Sequence, residues 1–282
     1  MILSSNKKVR YFLVGLLAML LGFNFNMVSA HQYTNYFGIH MTTDEYFTLL
    51  NLGFTDDEIY YMDEDTFNNN KDLDAELVAQ TKKYYKIVTP MYGASYVVEI
   101  TPQEYLNQSQ NQLLNTVTTQ FITESSSISA NGNKYRYKNT VVWLSPPQNK
   151  SFDVIGIGFI NSVYIDSMIF YKHTYADANG DWHNSTLYYG MTNNSTGAGV
   201  VYKLPDPFYG LSATIYFDVS KNTTDTLQYI DMCGDYAHSL QTVTQYQAVD
   251  HVLNSYGIQF DVSVIDYFDE IPCAYSTALV NW

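Results

Sequence analysis

ATIYFDVS, residues 213–220, sets Ala213, Ile215, Phe217 and Val219 on one side of an extended chain and Thr214, Tyr216, Asp218 and Ser220 on the other. Side chains alternate across a strand, so this period of two describes a β-strand with one buried and one wet face. Ile258, Phe260, Val262 and Val264 repeat the pattern against Gln259, Asp261 and Ser263. Upstream, Asn131-Gly132-Asn133 supplies hairpin-turn chemistry between a Thr/Ser-rich segment from Val117 to Ser129 and a return strand in which Tyr135, Tyr137, Val141 and Trp143 alternate. Further strands are expected at 152–159, 162–175, 182–191, 198–204, 212–220, 226–233, 237–246, 257–265 and 274–281. Short strands at this spacing, with no repeat of fixed period, point to a mainly β protein. The expected fold is an antiparallel β-sandwich over residues 116–282, jelly-roll or Ig-like in type.

The chain changes character before that domain. Thr42 with Glu45, and Thr55 with Glu58, have the spacing of capping boxes, and Asp63 offers a third helix start. Asp56, Asp57 and Glu58 place negative charge where a helix dipole is positive, so most of these acids have a local structural reason to be there. Residues 31–72 therefore read as a small helical module. The motif Leu49-x-x-Leu52-Gly53-Phe54-Thr55-x-x-Glu58-Ile59 resembles the helix, Gly-Phe turn, helix pattern of ubiquitin-associated-like modules, and is similar to openings of uncharacterised secreted proteins of Gram-positive bacteria. The resemblance spans about residues 42–70 and implies a three-helix unit without an activity. Residues 73–115 mix signals and read as a transition containing a strand and a short helix; Thr101-Pro102-Gln103-Glu104 starts the helix.

Lys7, Lys8 and Arg10 precede an apolar run and a Val28-Ser29-Ala30 ending, which reads as a signal peptide over residues 1–30 cut after Ala30. The run from Tyr11 to Phe23 is shorter than the ~20 residues that span a bilayer, so no membrane contact is expected beyond the leader. With the leader go three of the 14 Lys and Arg and none of the 28 Asp and Glu, leaving 11 against 28, a formal charge of −17. That charge repels phosphate backbones and excludes a nucleic-acid-binding role. Export also permits Cys233 and Cys273 to form a disulfide; two buried thiols are the alternative.

Catalytic patterns are weak. Asp235, His238 and Ser239 lie close in sequence, but no strained Gly-x-Ser-x-Gly elbow accompanies them, and Asp235 and His238 would face opposite ways on a strand. Asp177, Asn179 and Asp181 occupy alternate positions as in a calcium loop, yet Trp182 stands where that loop requires Gly. No cofactor is expected, with calcium at these three side chains as the alternative. The acidic run Asp266 to Glu270 reads as a solvated turn. The strongest compositional signal is aromatic, with 27 Tyr and 3 Trp. Trp182, Tyr188, Tyr189, Phe208 and Tyr209 are the candidates for an exposed ligand platform, although Tyr is also common in strands for packing reasons. The sequence reading is a secreted, non-enzymatic recognition protein for an extracellular glycan, wall polymer or protein. The alternatives are a glycosidase-like secreted hydrolase with dispersed Asp residues and a structural subunit of the cell surface.

Overall fold

The structure is a computed structural model and describes residues 32–90, 95–109, 118–147, 149–159, 163–206, 208, 210–221, 228–242 and 268–279. It is mainly β, and every strand pairing is antiparallel.

Three short helices open it. After a two-strand ladder of β1 (Tyr33–Thr34) and β2 (His40–Met41) come α1 (Thr43–Asn51), α2 (Asp56–Tyr60) and α3 (Glu64–Asn70). Both expected capping boxes form: Thr42 Oγ1 accepts the Glu45 N–H at 3.2 Å, and Thr55 Oγ1 accepts the Glu58 N–H at 3.2 Å. Asp63 Oδ1 accepts the Thr66 N–H at 2.7 Å, giving α3 its start. Gly53 ends α1 at φ +80°, and a β-carbon there would lie 2.2 Å from Ser127 Oγ. The Gly-Phe turn is thus dictated by contact with the sheet as well as by its backbone angle.

An eight-stranded sheet follows the order β10-β9-β13-β6-β5-β3-β4, with β8 also paired to β13. Its strands are β3 (Ala75–Thr89), β4 (Tyr96–Ile100), β5 (Thr118–Asn131), β6 (Lys134–Trp143), β8 (Val163–Ile165), β9 (Phe170–Ala176), β10 (Trp182–Ser185) and β13 (Gly210–Lys221). The second sheet has five strands in the order β11-β12-β7-β14-β15. These are β7 (Phe152–Phe159), β11 (Gly190–Asn194), β12 (Gly197–Lys203), β14 (Tyr229–Ser239) and β15 (Phe268–Leu279). A helix, α4 (Pro102–Ser109), follows β4 and starts on the Thr101 and Glu104 cap. Residues 73–115, read as a transition, therefore supply two strands of the larger sheet. Phe268 and Ile271 are buried in β15, so the acidic run ends inside a strand and does not form a solvated turn there; the strand expected at 257–265 lies outside the described residues.

The sheets enclose one apolar core to which both contribute, including Tyr137, Val141 and Phe217 from one and Ile155, Ile157, Val200 and Tyr236 from the other. A second core lies on the opposite face of the larger sheet, where Leu49, Leu52, Phe54, Ile59, Met62 and Phe67 of the helical module pack with Tyr216 of β13. Each such buried side chain contributes roughly 1.5–3 kcal/mol. The protein thus has three layers, helices on a large sheet on a small sheet. That order explains why β6 is buried on both faces although its outward side chains, Arg136, Lys138 and Thr140, are polar.

Cys233 of β14 and Cys273 of β15 are bonded to one another, with their Cα atoms 5.6 Å apart.

Candidate functional site

The outer face of the large sheet carries a straight row of polar residues under the helical module. Register places Lys82 opposite Ser125, Ser125 opposite Thr140, Thr140 opposite Thr214 and Thr214 opposite Lys172. Period-two alternation puts all five on one face. Above the row, α2 lowers Glu58 onto its centre. Glu58 Oε1 accepts from Lys138 Nζ at 2.8 Å, from Thr140 Oγ1 at 2.9 Å and from Thr214 Oγ1 at 3.0 Å. Its Oε2 accepts the Thr55 N–H at 2.8 Å, completing the capping box. One carboxylate therefore starts a helix and pins that helix to two strands, β6 and β13.

Burial by itself would raise the Glu58 pKa, but the Lys138 ammonium and the surrounding donors hold it below the ordinary carboxylate value. Burial depresses the Lys138 pKa, with Glu58 opposing the shift. We take the pair as ionised at neutral pH because every oxygen of Glu58 faces a donor. Lesser clamps flank it. Lys172 Nζ lies 3.2 Å from Asp63 Oδ2, Asn70 Nδ2 donates to Tyr216 OH at 3.1 Å, and Arg136 bonds Asn70 Oδ1 while reaching Asp218 at 2.7 Å.

Beside Glu58 the module stands off from the sheet and leaves a cleft of about 340 Å³. Phe54, Tyr61, Val142, Phe170 and Trp182 form its apolar walls, and Ser125, Thr174 and Ser212 add hydroxyls to the floor. Trp182 stacks on Tyr61 with ring centroids 3.8 Å apart and planes 22° from parallel. Gly210 permits this, because a β-carbon there would come within 2.9 Å of the indole. Asn184 Nδ2 donates to the Tyr61 carbonyl at 3.0 Å and ties the strand bearing Trp182 to the module. Rings continue outward: Tyr36 lies 5.6 Å from Tyr61, Phe37 5.1 Å from Tyr36 and Tyr60 4.8 Å from Tyr61. Phe37, Tyr36 and Tyr60 are all exposed.

Among the described residues of the platform expected from sequence, only Trp182 lines this cleft. Tyr188 is exposed between β10 and β11, and Tyr189 packs edge-on against Phe152 with centroids 5.1 Å apart. Phe208 is 2% exposed and belongs to the inter-sheet core, which removes it from any surface platform; Tyr209 lies outside the described residues. Tyr36, Phe37, Tyr60 and Tyr61 were missed as site residues, though their clustering at 36–37 and 60–61 was visible. What could not be read was that Trp182, more than 120 positions away, would join them.

Asp177, Asn179 and Asp181 form the β9–β10 turn. Asp177 Oδ1 accepts backbone N–H bonds from Asn179 at 2.8 Å and Asp181 at 3.1 Å, and its Oδ2 lies 3.0 Å from His183 Nε2. The His183 contact and these amides hold the Asp177 carboxyl below its ordinary pKa. Both of its oxygens are occupied in this way, and among the described residues no group of three or more His, Cys, Asp and Glu is arranged to hold a metal.

His238 does not pair with Asp235. Its Nδ1 sits 3.0 Å from Asp153 Oδ1, and the Ser239 hydroxyl lies 3.4 Å from that same carboxylate instead of meeting the imidazole. Tyr236 OH also bonds Asp153, and Trp143 Nε1 donates to Tyr236 OH at 2.8 Å. This is a sealed polar network centred on Asp153, without the serine-to-imidazole contact that nucleophilic catalysis needs.

Set against known proteins, the chain matches no family model, and no curated protein matches it in sequence.

Proposed function

We propose that the protein is an exported recognition protein that binds an extracellular glycan in the cleft between α2 and the large sheet. The observation that carries this reading is the Tyr61–Trp182 stack opening onto a floor of serine and threonine hydroxyls. Aromatic faces take the C–H faces of sugar rings, and hydroxyl groups beside them exchange hydrogen bonds with sugar hydroxyls. The strip of Tyr60, Tyr36 and Phe37 extends the platform outside the cleft and suits a chain longer than one ring. Export is supported by the leader-like residues 1–30 and by a disulfide, which persists in oxidising compartments.

Hydrolysis is the weaker reading. A glycosidase keeps one carboxyl protonated beside a second, ionised one. The acids lining the cleft are Asp57 and Glu58, and Glu58 is held ionised by Lys138 and its other donors. Among the described residues the carboxyl with a strongly raised pKa is Glu124, which lies fully buried between the sheets.

The test is to incubate the chain from His31 to Trp282 with cell-wall preparations and a polysaccharide panel, measuring protein retained and reducing ends released. Retention without release is expected. Release above a heat-treated control would overturn the reading in favour of a hydrolase, and retention on none of the polymers would remove its ligand class.

A further inference from the structure

Two fully buried polar side chains meet between the sheets, Glu124 of β5 and Asn139 of β6. Asn139 Nδ2 donates to Glu124 Oε1 at 2.9 Å, and the same nitrogen reaches across the sandwich to the carbonyl oxygens of Gly156 in β7 at 3.1 Å and Asp235 in β14 at 3.3 Å. The fit is close, since a β-carbon on Gly234 would lie 2.5 Å from Asn139 Oδ1. Two oxygens of this cluster, Glu124 Oε2 and Asn139 Oδ1, are buried without a hydrogen-bond partner among the described residues. We propose that Glu124 is held as the neutral acid and serves as an alkali-sensitive fastener between the two sheets.

Donors and acceptors balance here only with a proton present. An amide nitrogen carries two N–H donors, and three acceptors compete for them. An ionised carboxylate adds no donor and draws hydrogen bonds more strongly than a carbonyl does, so it pulls the amide away from β7 and β14. A proton on Oε2 reverses both effects. It weakens the claim of the carboxyl on Nδ2, and it supplies a donor for Asn139 Oδ1, the acceptor left open on the same amide. A charge in this buried seam also carries an uncompensated desolvation cost. Burial opposes the charged form of Glu124 most, Asp235 of β14 adds its repulsion, and together they outweigh the Asn139 bond and Lys83 of β3. Lys83, in register with Glu124, is tied to Glu99 of β4 at 3.1 Å. Tyr85 of β3 donates its hydroxyl to the Pro272 carbonyl of β15 at 2.5 Å, and burial and Glu124 both disfavour its ionisation. Glu124 and Asn139 do not line the cleft, so this device stands apart from the glycan reading.

The chain from His31 to Trp282 is followed from neutral pH to about pH 10 by infrared spectroscopy in D2O and by amide hydrogen exchange. At neutral pH the parent is expected to show a protonated-carboxyl C=O band that Glu124→Gln lacks. Exchange in β7 and β14, corrected for the base-catalysed intrinsic rate, should rise at least about tenfold in the parent as that band disappears. It should stay flat in Glu124→Gln, whose amide keeps a donor and has no proton to lose. Asp235→Asn removes the neighbouring charge and should lower the pH at which the band is lost by about half a unit or more, a shift that a merely structural role does not produce. This second variant retains the Glu124 carboxyl and decides the question if Glu124→Gln does not fold. Absence of a Glu124-dependent band at neutral pH, the same alkaline rise in parent and Glu124→Gln, or an Asp235→Asn transition unmoved or moved upward would each overturn the proposal.

Discussion

Replacing Lys138 with Met should be among the most damaging single changes outside the apolar core, and replacing Glu58 as well should undo most of the damage. Their side chains are 2% and 9% exposed, and Lys138 Nζ lies 2.8 Å from Glu58 Oε1. Without Lys138 the carboxylate keeps only the Thr140 and Thr214 hydroxyls and the Thr55 amide. Stranding one member of such a buried pair costs about 3–5 kcal/mol. At roughly 2–4 °C per kcal/mol for a protein of this size, K138M should melt roughly 10 °C lower. In the double variant K138M/E58Q no buried charge is left unpaired, and Gln at the third helical position still serves the cap, so stability should return to within about 1.5 kcal/mol of the parent. Urea unfolding at neutral pH measures all three proteins. A K138M loss below about 1 kcal/mol, or a double variant as unstable as the single one, would refute the claim that this pair fastens the helical module to the sheet.

Other outcomes follow from the same geometry. Gly53→Ala forces a β-carbon onto Ser127 Oγ at φ +80° and should cost at least about 2 kcal/mol, with only partial recovery in G53A/S127G because the backbone strain remains. Glu124 is raised well above its ordinary value by burial and by Asp235, so the folded state keeps a proton that the unfolded chain releases above its own pKa. Its contribution to stability is therefore lost as pH rises, and Glu124→Gln should stabilise the protein at pH 7 and flatten the alkaline side of the melting profile. Glu58 and Asp63 have the opposite sign. Their depressed values add stability above the ordinary carboxylate range that is lost as pH falls through it, so K138M should show a weaker acid-side slope than the parent. Serine at both Cys233 and Cys273 opens a loop of separation 40 and should cost about 4 kcal/mol in denaturant, a shift that reduction of the parent reproduces.

Local chemistry was legible in the sequence and long-range chemistry was not. The helix starts at Thr42, Thr55 and Asp63 could be read because a cap involves residues three apart. β13 was legible because its inward face is uniformly apolar. The start of the 73–115 segment mixes signals because a register shift between Leu77 and Ala79 breaks the alternation of β3. β14 was read as two strands, 226–233 and 237–246, because the shift between Gly234 and Tyr236 interrupts one continuous strand. The partners of Glu58 and His238, 80 and 85 residues away, carry no local mark. Trp182 was singled out for its aromaticity, but its neighbours Tyr61 and Tyr36 come from a module the sequence could not orient on the sheet.

The most direct test of the central claim is the affinity of the parent and of Trp182→Ala for whichever polysaccharide retains the parent, with folding of both verified by thermal melt. Loss of one stacking platform in a cleft built on the Tyr61–Trp182 pair should weaken binding tenfold or more, about 1.4 kcal/mol or above, in a protein that still melts cooperatively. Unchanged affinity in a folded Trp182→Ala protein would place the ligand elsewhere and contradict the account.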